Sequence, residues 1–356
     1  MLQTDFSFLK IKGKSLLPVV QGGMGVGISA HRLAGNVARL GALGTISSVD
    51  LRRHHPDLMV KTGRSRDKDL INAVNLIALD REVKAAKVIA EGNGMIAVNI
   101  MRAVADYAHY VRQSCISGAD AVVVGAGLPL DLPELTSAFP EVALIPILSD
   151  VRGISLILKK WMRKNRLPDA IIIENPRFAA GHLGAARLED VHQPHFAFPV
   201  VLEGTLALFQ ELGIESEKIP LITAGGIHRN EEVRALFAQG ASAIQLGTAF
   251  AVTEEGDAHL NFKKVLTEAK PEDIVTFMSV AGLPARAVKT PWLANYLEKE
   301  AKLQRIAKPK QCTVGFDCLQ QCGLRDGLAK AGQFCIDTQL AFALNGDVKR
   351  GLFFRG

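Results

Sequence analysis

Two short runs decide how this chain folds: Pro220-Leu221-Ile222-Thr223-Ala224-Gly225-Gly226 and Ala243-Ile244-Gln245-Leu246-Gly247-Thr248-Ala249-Phe250. Both are apolar without alternation, both run into glycine, and Asn230 to Gln239 between them has the spacing of a helix. Unalternating apolar runs are strands buried on both faces, and strands separated by helices lie parallel. The same unit recurs toward the N-terminus at Leu17–Met24, Leu43–Val49, Met95–Met101, Ala121–Gly127, Leu144–Ser149 and Ala170–Glu174. Eight such units predict an α/β fold, a closed (β/α)8 TIM barrel over residues 1–252. An open doubly wound sheet is the alternative, because periodicity does not report closure. The irregular segment near 175–200 reads as an insertion on the active face, and the polar segment from Asp50 to Asp69 as a second cover there. Residues 253–356 read as a mostly helical cap on the substrate side, with a loop at Ala281–Arg286 and a cysteine-containing C-terminal tail.

Composition narrows the function classes. A chain of 356 residues with 48% hydrophobic and 22% charged residues can bury a large core. Its net charge of +6 is dispersed and lacks the basic stripe with interleaved aromatics that nucleic acid requires, so no nucleic-acid partner is expected. No apolar run reaches the ~20 residues that span a bilayer, and Met1 to Lys14 has no secretory pattern, so a cytoplasmic protein with no membrane partner is expected. Of the five cysteines, Cys312, Cys318, Cys322 and Cys335 crowd the tail. Their spacing matches neither zinc ribbons nor ferredoxins, so burial as small apolar side chains is expected and no metal. His54-His55 reads as solvent-exposed, with a cover over the pocket as the alternative, and Arg286 as a structural or solvated loop arginine, with contact to a phosphate or an anionic substrate as the alternative.

Chemistry in a parallel barrel gathers where the strands end, with phosphate sites favoured after the last two. Ala224, Gly225, Gly226, Gly247 and Thr248 supply free backbone N–H groups at both of those ends, a cradle for a phosphate. Gln21, Gly22, Gly23 and Met24 end the first strand, where glycine backbone can lie flat under a ring and an amide can bond its edge. Asn99 is a second amide, set in an apolar strand. Glu174 ends the sixth, and after it comes Ala180-Gly181-His182-Leu183-Gly184, in which a histidine titrating near neutral pH can take a proton beside the ring.

A planar heterocycle with one phosphate describes FMN. Gln-Gly-Gly-Met at residue 21, Val-Asn-Ile at 98, Ala-Gly-His-x-Gly at 180, Ala-Gly-Gly-Ile at 224 and Leu-Gly-Thr-Ala-Phe at 246 occur in an order that resembles the nitronate monooxygenase family, formerly the 2-nitropropane dioxygenases. The resemblance covers roughly the first 290 residues. It implies an FMN-dependent oxidoreductase that oxidises alkyl nitronates or nitroalkanes with dioxygen to a carbonyl compound and nitrite. It places the phosphate at Gly225, Gly226, Gly247 and Thr248, the ring against Gly22, Gly23, Met24 and Gly181 with Asn99 at its polar edge, and the catalytic base at His182. Ala180 stands where the best-defined members have a further glycine, and Val122 to Pro129 replaces their Ser-Phe-x-Phe-Gly motif. The alternative is an NAD(P)H-dependent FMN reductase acting on a quinone or an enoyl thioester. Expected partners are a small-molecule substrate and dioxygen, with a homodimer as the oligomeric state to test.

Overall fold

A computed structural model describes residues 4–356. Its first strands, β1 (Leu9–Ile11) and β2 (Lys14–Leu16), form an antiparallel hairpin. Next in the chain are β3 (Val19–Gln21), β4 (Leu43–Ser47), β5 (Met95–Met101), β6 (Ala121–Gly125), β7 (Ala143–Leu148) and β8 (Ile171–Glu174). After the short strand β9 (Gly181–His182) come β10 (Leu221–Ala224) and β11 (Ala243–Leu246), then β12 (Ile274–Met278) and β13 (Pro284–Val288). Strands β3 to β8 with β10 and β11 close into a parallel barrel, β11 pairing with β3, so the predicted TIM barrel is the observed fold.

The apolar runs lack alternation because each strand is covered on both sides. Ala97, Ala121, Val123, Ile145, Ile172 and Ile222 fill the barrel interior, whereas Ile96, Val98, Val122, Leu144 and Ile173 meet the surrounding helices. Leu9, Ile11 and Leu16 of the first hairpin join the interior set and plug the end away from the site. Gly44 explains how one helix sits so near the wall: a Cβ there would lie 2.0 Å from the Ala34 carbonyl oxygen of the helix His31–Arg39.

The segment from Asp50 to Asp69, read as a cover on the active face, is ordered in its first half. It folds into two short helices, Leu51–His54 and Pro56–Thr62, and its first charged residues are paired inside the protein. Asp50 is fully buried and meets Arg52 at 2.6 Å and Arg53 at 2.5 Å, and Arg53 reaches on to Asp337, also buried, at 2.5 Å. His54 and His55 are not free in solvent: the first bonds the Gly27 carbonyl at 2.8 Å and the second meets Glu82 at 3.0 Å.

Glu82 is buried on the helix Lys68–Ala90 and also meets His31 at 2.8 Å. Its burial alone would raise the carboxyl, but the bonds from His31 and His55 outweigh it and hold the group down at about 2. An acid depressed in the folded state contributes stability above its unfolded value, and that contribution is lost as pH falls toward 2. Glu82→Gln is therefore expected to lower stability at neutral pH by roughly 1–3 kcal/mol. Thermal melting between pH 6 and pH 2.5 should show a shallower acid decline in the variant, and parallel curves would remove Glu82 from the acid response.

The region after Thr253 is helical in part, with helices Leu260–Glu268, Pro291–Arg305 and Ile336–Leu344. It also holds an unforeseen element. β12 and β13 pair antiparallel, so the stretch read as a loop at Ala281–Arg286 is the tip and second strand of a hairpin, and β9 pairs with β13 as a third strand. Phe277, Ala285, Leu293 and Leu340 share one core with the barrel helices. In the tail Cys318 and Cys322 pack against that core, and burial pushes both thiols up.

Candidate active site

At the carboxyl ends of the barrel strands the turn after β10 has Gly225 at φ 102° and Gly226 at φ 74°, left-handed conformations that favour glycine. Both are tightly backed. A Cβ on Gly225 would lie 3.1 Å from the Asn175 carbonyl oxygen, and one on Gly226 would lie 2.6 Å from the Phe178 ring. Next to this turn, Gly247 precedes a single-turn helix, Thr248–Ala251, and a Cβ on it would face Met24 Sδ at 3.7 Å. The Gly22 N–H donates to the Leu246 carbonyl at 2.9 Å, which ties the end of β3 to the end of β11.

Gly23 crosses over β5 so closely that a Cβ would fall 2.4 Å from Asn99 Cβ. Asn99 Nδ2 donates a long 3.5 Å bond to the Gly23 carbonyl, while its Oδ1 is buried with no partner. Gln21 is placed differently from the expectation that its amide is open to a ligand. Its Oε1 accepts from the Thr45 N–H at 2.8 Å, and its Nε2 donates to the Thr45 and Gly22 carbonyls. Only Val20 and Leu43 are in register between β3 and β4, so the Gln21 side chain substitutes for missing ladder bonds.

Glu174 ends β8, and burial, with no cationic partner among the described residues, pushes its carboxyl up to about 7. The chain then turns at Asn175, whose N–H donates to the Ala224 carbonyl at 2.9 Å, and passes Arg177 and Phe178 into β9. β9 is held from outside the barrel: Gly181 lies opposite Arg286 and His182 opposite Ala285, and the Leu183 N–H donates to the Pro284 carbonyl at 2.8 Å. Gly181 takes φ 67°. Gly184 serves packing, since a Cβ there would sit 1.8 Å from Ser149 Oγ.

His182 Nε2 is buried and has no partner among the described residues. Burial alone lowers the imidazole to about 4, well below the near-neutral value expected of an exposed ring, so it is neutral and able to accept a proton across physiological pH. The Phe354 ring stands 6.5 Å from it. Gly22, Gly23, Met24, Asn99, Glu174, Gly181, His182, Ala224, Gly225, Gly226, Gly247 and Thr248 thus all lie at one end of the barrel. Phe178, Phe354, Arg177 and Arg355 border this group without having been singled out. The first and third lie inside the Gly-His loop segment and could have been considered there, but nothing in the tail sequence signals its return to this face.

Residues 7–345 match the family model described as nitronate monooxygenase. A probable nitronate monooxygenase of Staphylococcus saprophyticus is 27% identical, covering 83% of this chain and 82% of the relative. Another from Bacillus subtilis is 26% identical, covering 87% and 86%. Among solved structures, a nitroalkane oxidase from Streptomyces ansochromogenes aligns with TM-score 0.63 at 19% identity, covering 95% of this chain and 89% of that one. FabK from Thermotoga maritima aligns with TM-score 0.62 at 22% identity, covering 95% and 85%. At these identities the two structures speak for the fold.

Proposed function

Because this chain belongs to the nitronate monooxygenase family and is an oxidoreductase, we propose that it oxidises alkyl nitronates, and nitroalkanes after their deprotonation, with dioxygen, using FMN. The observation that carries the proposal is the buried, partnerless His182 Nε2 at the barrel end that also holds the glycine turns. The residues fit the cofactor. Gly225 and Gly226, with their left-handed backbones, and Gly247 with Thr248 would hold the phosphate through N–H groups. Gly22, Gly23 and Met24 would lie against the ring, and the orphaned Asn99 Oδ1 would accept from its polar edge. Gln21 would act through the backbone it braces at Thr45.

His182 takes the proton from the carbon bearing the nitro group, and its neutral state at physiological pH makes it ready to do so. The nitronate anion then favours the imidazolium, because an opposite charge nearby raises a histidine. Bound FMN supplies the redox chemistry that carries the nitronate, with dioxygen, to a carbonyl compound and nitrite. Glu174, its carboxyl pushed up to about 7, is protonated on the acid side of that value and there adds no negative charge to compete with the nitronate.

The purified protein is expected to be yellow, to release FMN on denaturation, and to consume oxygen and release nitrite when given propyl-2-nitronate. The fold shared with FabK makes the reductase the second reading. Rapid anaerobic bleaching of the flavin by NADH or NADPH, with no nitrite from nitronates, would replace the first reading with the second.

A further inference from the structure

Three arginines from separate parts of the chain meet beside the catalytic loop. Arg286 lies on β13 opposite Gly181, Arg177 precedes Phe178 in the loop that leads into β9, and Arg355 follows the Phe354 that stands beside His182. They are stitched together by backbone. Arg286 Nη1 donates to the Arg177 carbonyl at 3.1 Å, and the Arg355 N–H donates to the Arg286 carbonyl at 3.4 Å. Arg177 also stacks on the Phe178 ring, 5.1 Å from its centroid, and that ring backs Gly226.

None of the three makes an ion pair with a carboxylate among the described residues. Arg355 Nη1 donates to the Ala269 carbonyl at 2.5 Å, while its Nε is buried without a partner among the described residues. The charges that face Arg286 are those of Arg355 and Arg177, and with burial they hold it below its usual value. Other partly buried arginines are treated differently: Arg52, Arg53, Arg166 and Arg325 each face an aspartate. A group of like charges with no counterion is unfavourable in a half-buried place, and a multiply charged anion removes the penalty. Guanidinium forks match phosphate oxygens two at a time, so a phosphate neutralises such a group better than a single carboxylate.

We propose that Arg177, Arg286 and Arg355 form an anion subsite at the mouth of the active site, separate from the FMN phosphate cradle, which takes a phosphate group carried by the substrate or by a nucleotide co-substrate. The subsite rests on the active-site reading above and extends it to the far end of the ligand. In the antiparallel register Arg286 and Gly181 share one face of the small sheet, and His182 and Ala285 share the other. β9 is the edge strand, and Gly181 carries no side chain there, although the Phe354 ring stands 3.8 Å from where its Cβ would be. A ligand therefore passes around the edge at Gly181 with its phosphate on the arginine face and its reacting end on the His182 face.

The test is calorimetric titration of the holoenzyme, kept saturated with FMN, with inorganic pyrophosphate. The wild type is expected to bind one equivalent. Arg286→Met and Arg177→Met are each expected to weaken binding at least tenfold while the FMN content stays at one per chain. Arg177 is exposed, so its variant keeps the test alive should Arg286→Met fail to fold. Absence of pyrophosphate binding, equal binding in the variants, or loss of FMN from them overturns the proposal, the last by assigning the arginines to the flavin phosphate. Flavin bleaching faster with NADPH than with NADH, with the preference lost in Arg286→Met, identifies a nucleotide as the source. Pyrophosphate binding without bleaching by either nucleotide identifies the substrate. A protein that releases no nitrite yet binds pyrophosphate through these arginines fails the proposed reaction alone.

Discussion

His182→Ala is expected to lower kcat/KM for neutral nitroalkanes by about 10²–10⁴-fold, the contribution of a positioned general base. Preformed nitronates should lose much less, because their proton is already gone and the imidazole then acts only as a charge or hydrogen-bond partner. FMN content should not change, since the turns at Gly225 and Gly247 proposed to hold its phosphate make no use of the ring. The pH profile adds a second readout. With the imidazole held at about 4, the acid limb on nitroalkanes falls through that value, so the wild type should be flat from about pH 5 to about pH 6, below the range in which Glu174 ionises. His182→Ala should abolish that acid limb. A limb near pH 7 that survives the substitution would instead point to Glu174, whose carboxyl is pushed up to about 7. Equal losses on nitroalkanes and nitronates would show that His182 is not the base.

Arg53→Met should be the most damaging change away from the site. It strands two buried carboxylates, Asp50 and Asp337, that Arg53 bridges, and breaking such an arrangement costs about 3–5 kcal/mol. Arg52 still neutralises Asp50, so the loss falls mainly on Asp337. That carboxyl is already pushed up to about 7 by burial and by Asp50. An acid raised in the folded state stabilises below its unfolded value and loses that contribution as pH rises through 7. The variant's deficit should accordingly be larger at pH 8 than at pH 5, where Asp337 keeps its proton. Chemical denaturation at the two pH values measures this, and an equal deficit at both would place the stranded charge elsewhere.

The barrel was legible because every wall strand is buried on two faces, which leaves unbroken apolar runs such as Ala121–Gly125. The glycine turns were legible because positive φ at Gly225 and Gly226 demands that residue. The hairpin of β12 and β13 was not, because Ile274–Met278 is mostly half-exposed and Pro284–Val288 carries proline, alanine and arginine rather than a β-rich pattern. β9, two residues long, is too short to show any period. Lys12-Gly13 did carry a signal, both residues at positive φ in the turn of the first hairpin. Gln21 misled for a different reason: a side-chain amide reads alike whether it awaits a ligand or mends a gap between strands, and only the single register pair between β3 and β4 tells which.

The pairing of β9 with β13 has a consequence for how such enzymes diversify. His182 is encoded within the barrel, but its bearing is set by a hairpin that begins some ninety residues later, at Ile274. Insertions in the outer hairpin tip around Gly282 would tilt the imidazole without altering a single residue of the wall or of the glycine turns. Recombination between relatives at Thr253, just beyond the last wall strand, would likewise exchange the guide for the proposed base while conserving the proposed seat of the cofactor. A library of such chimaeras should retain colour throughout and scatter in substrate preference.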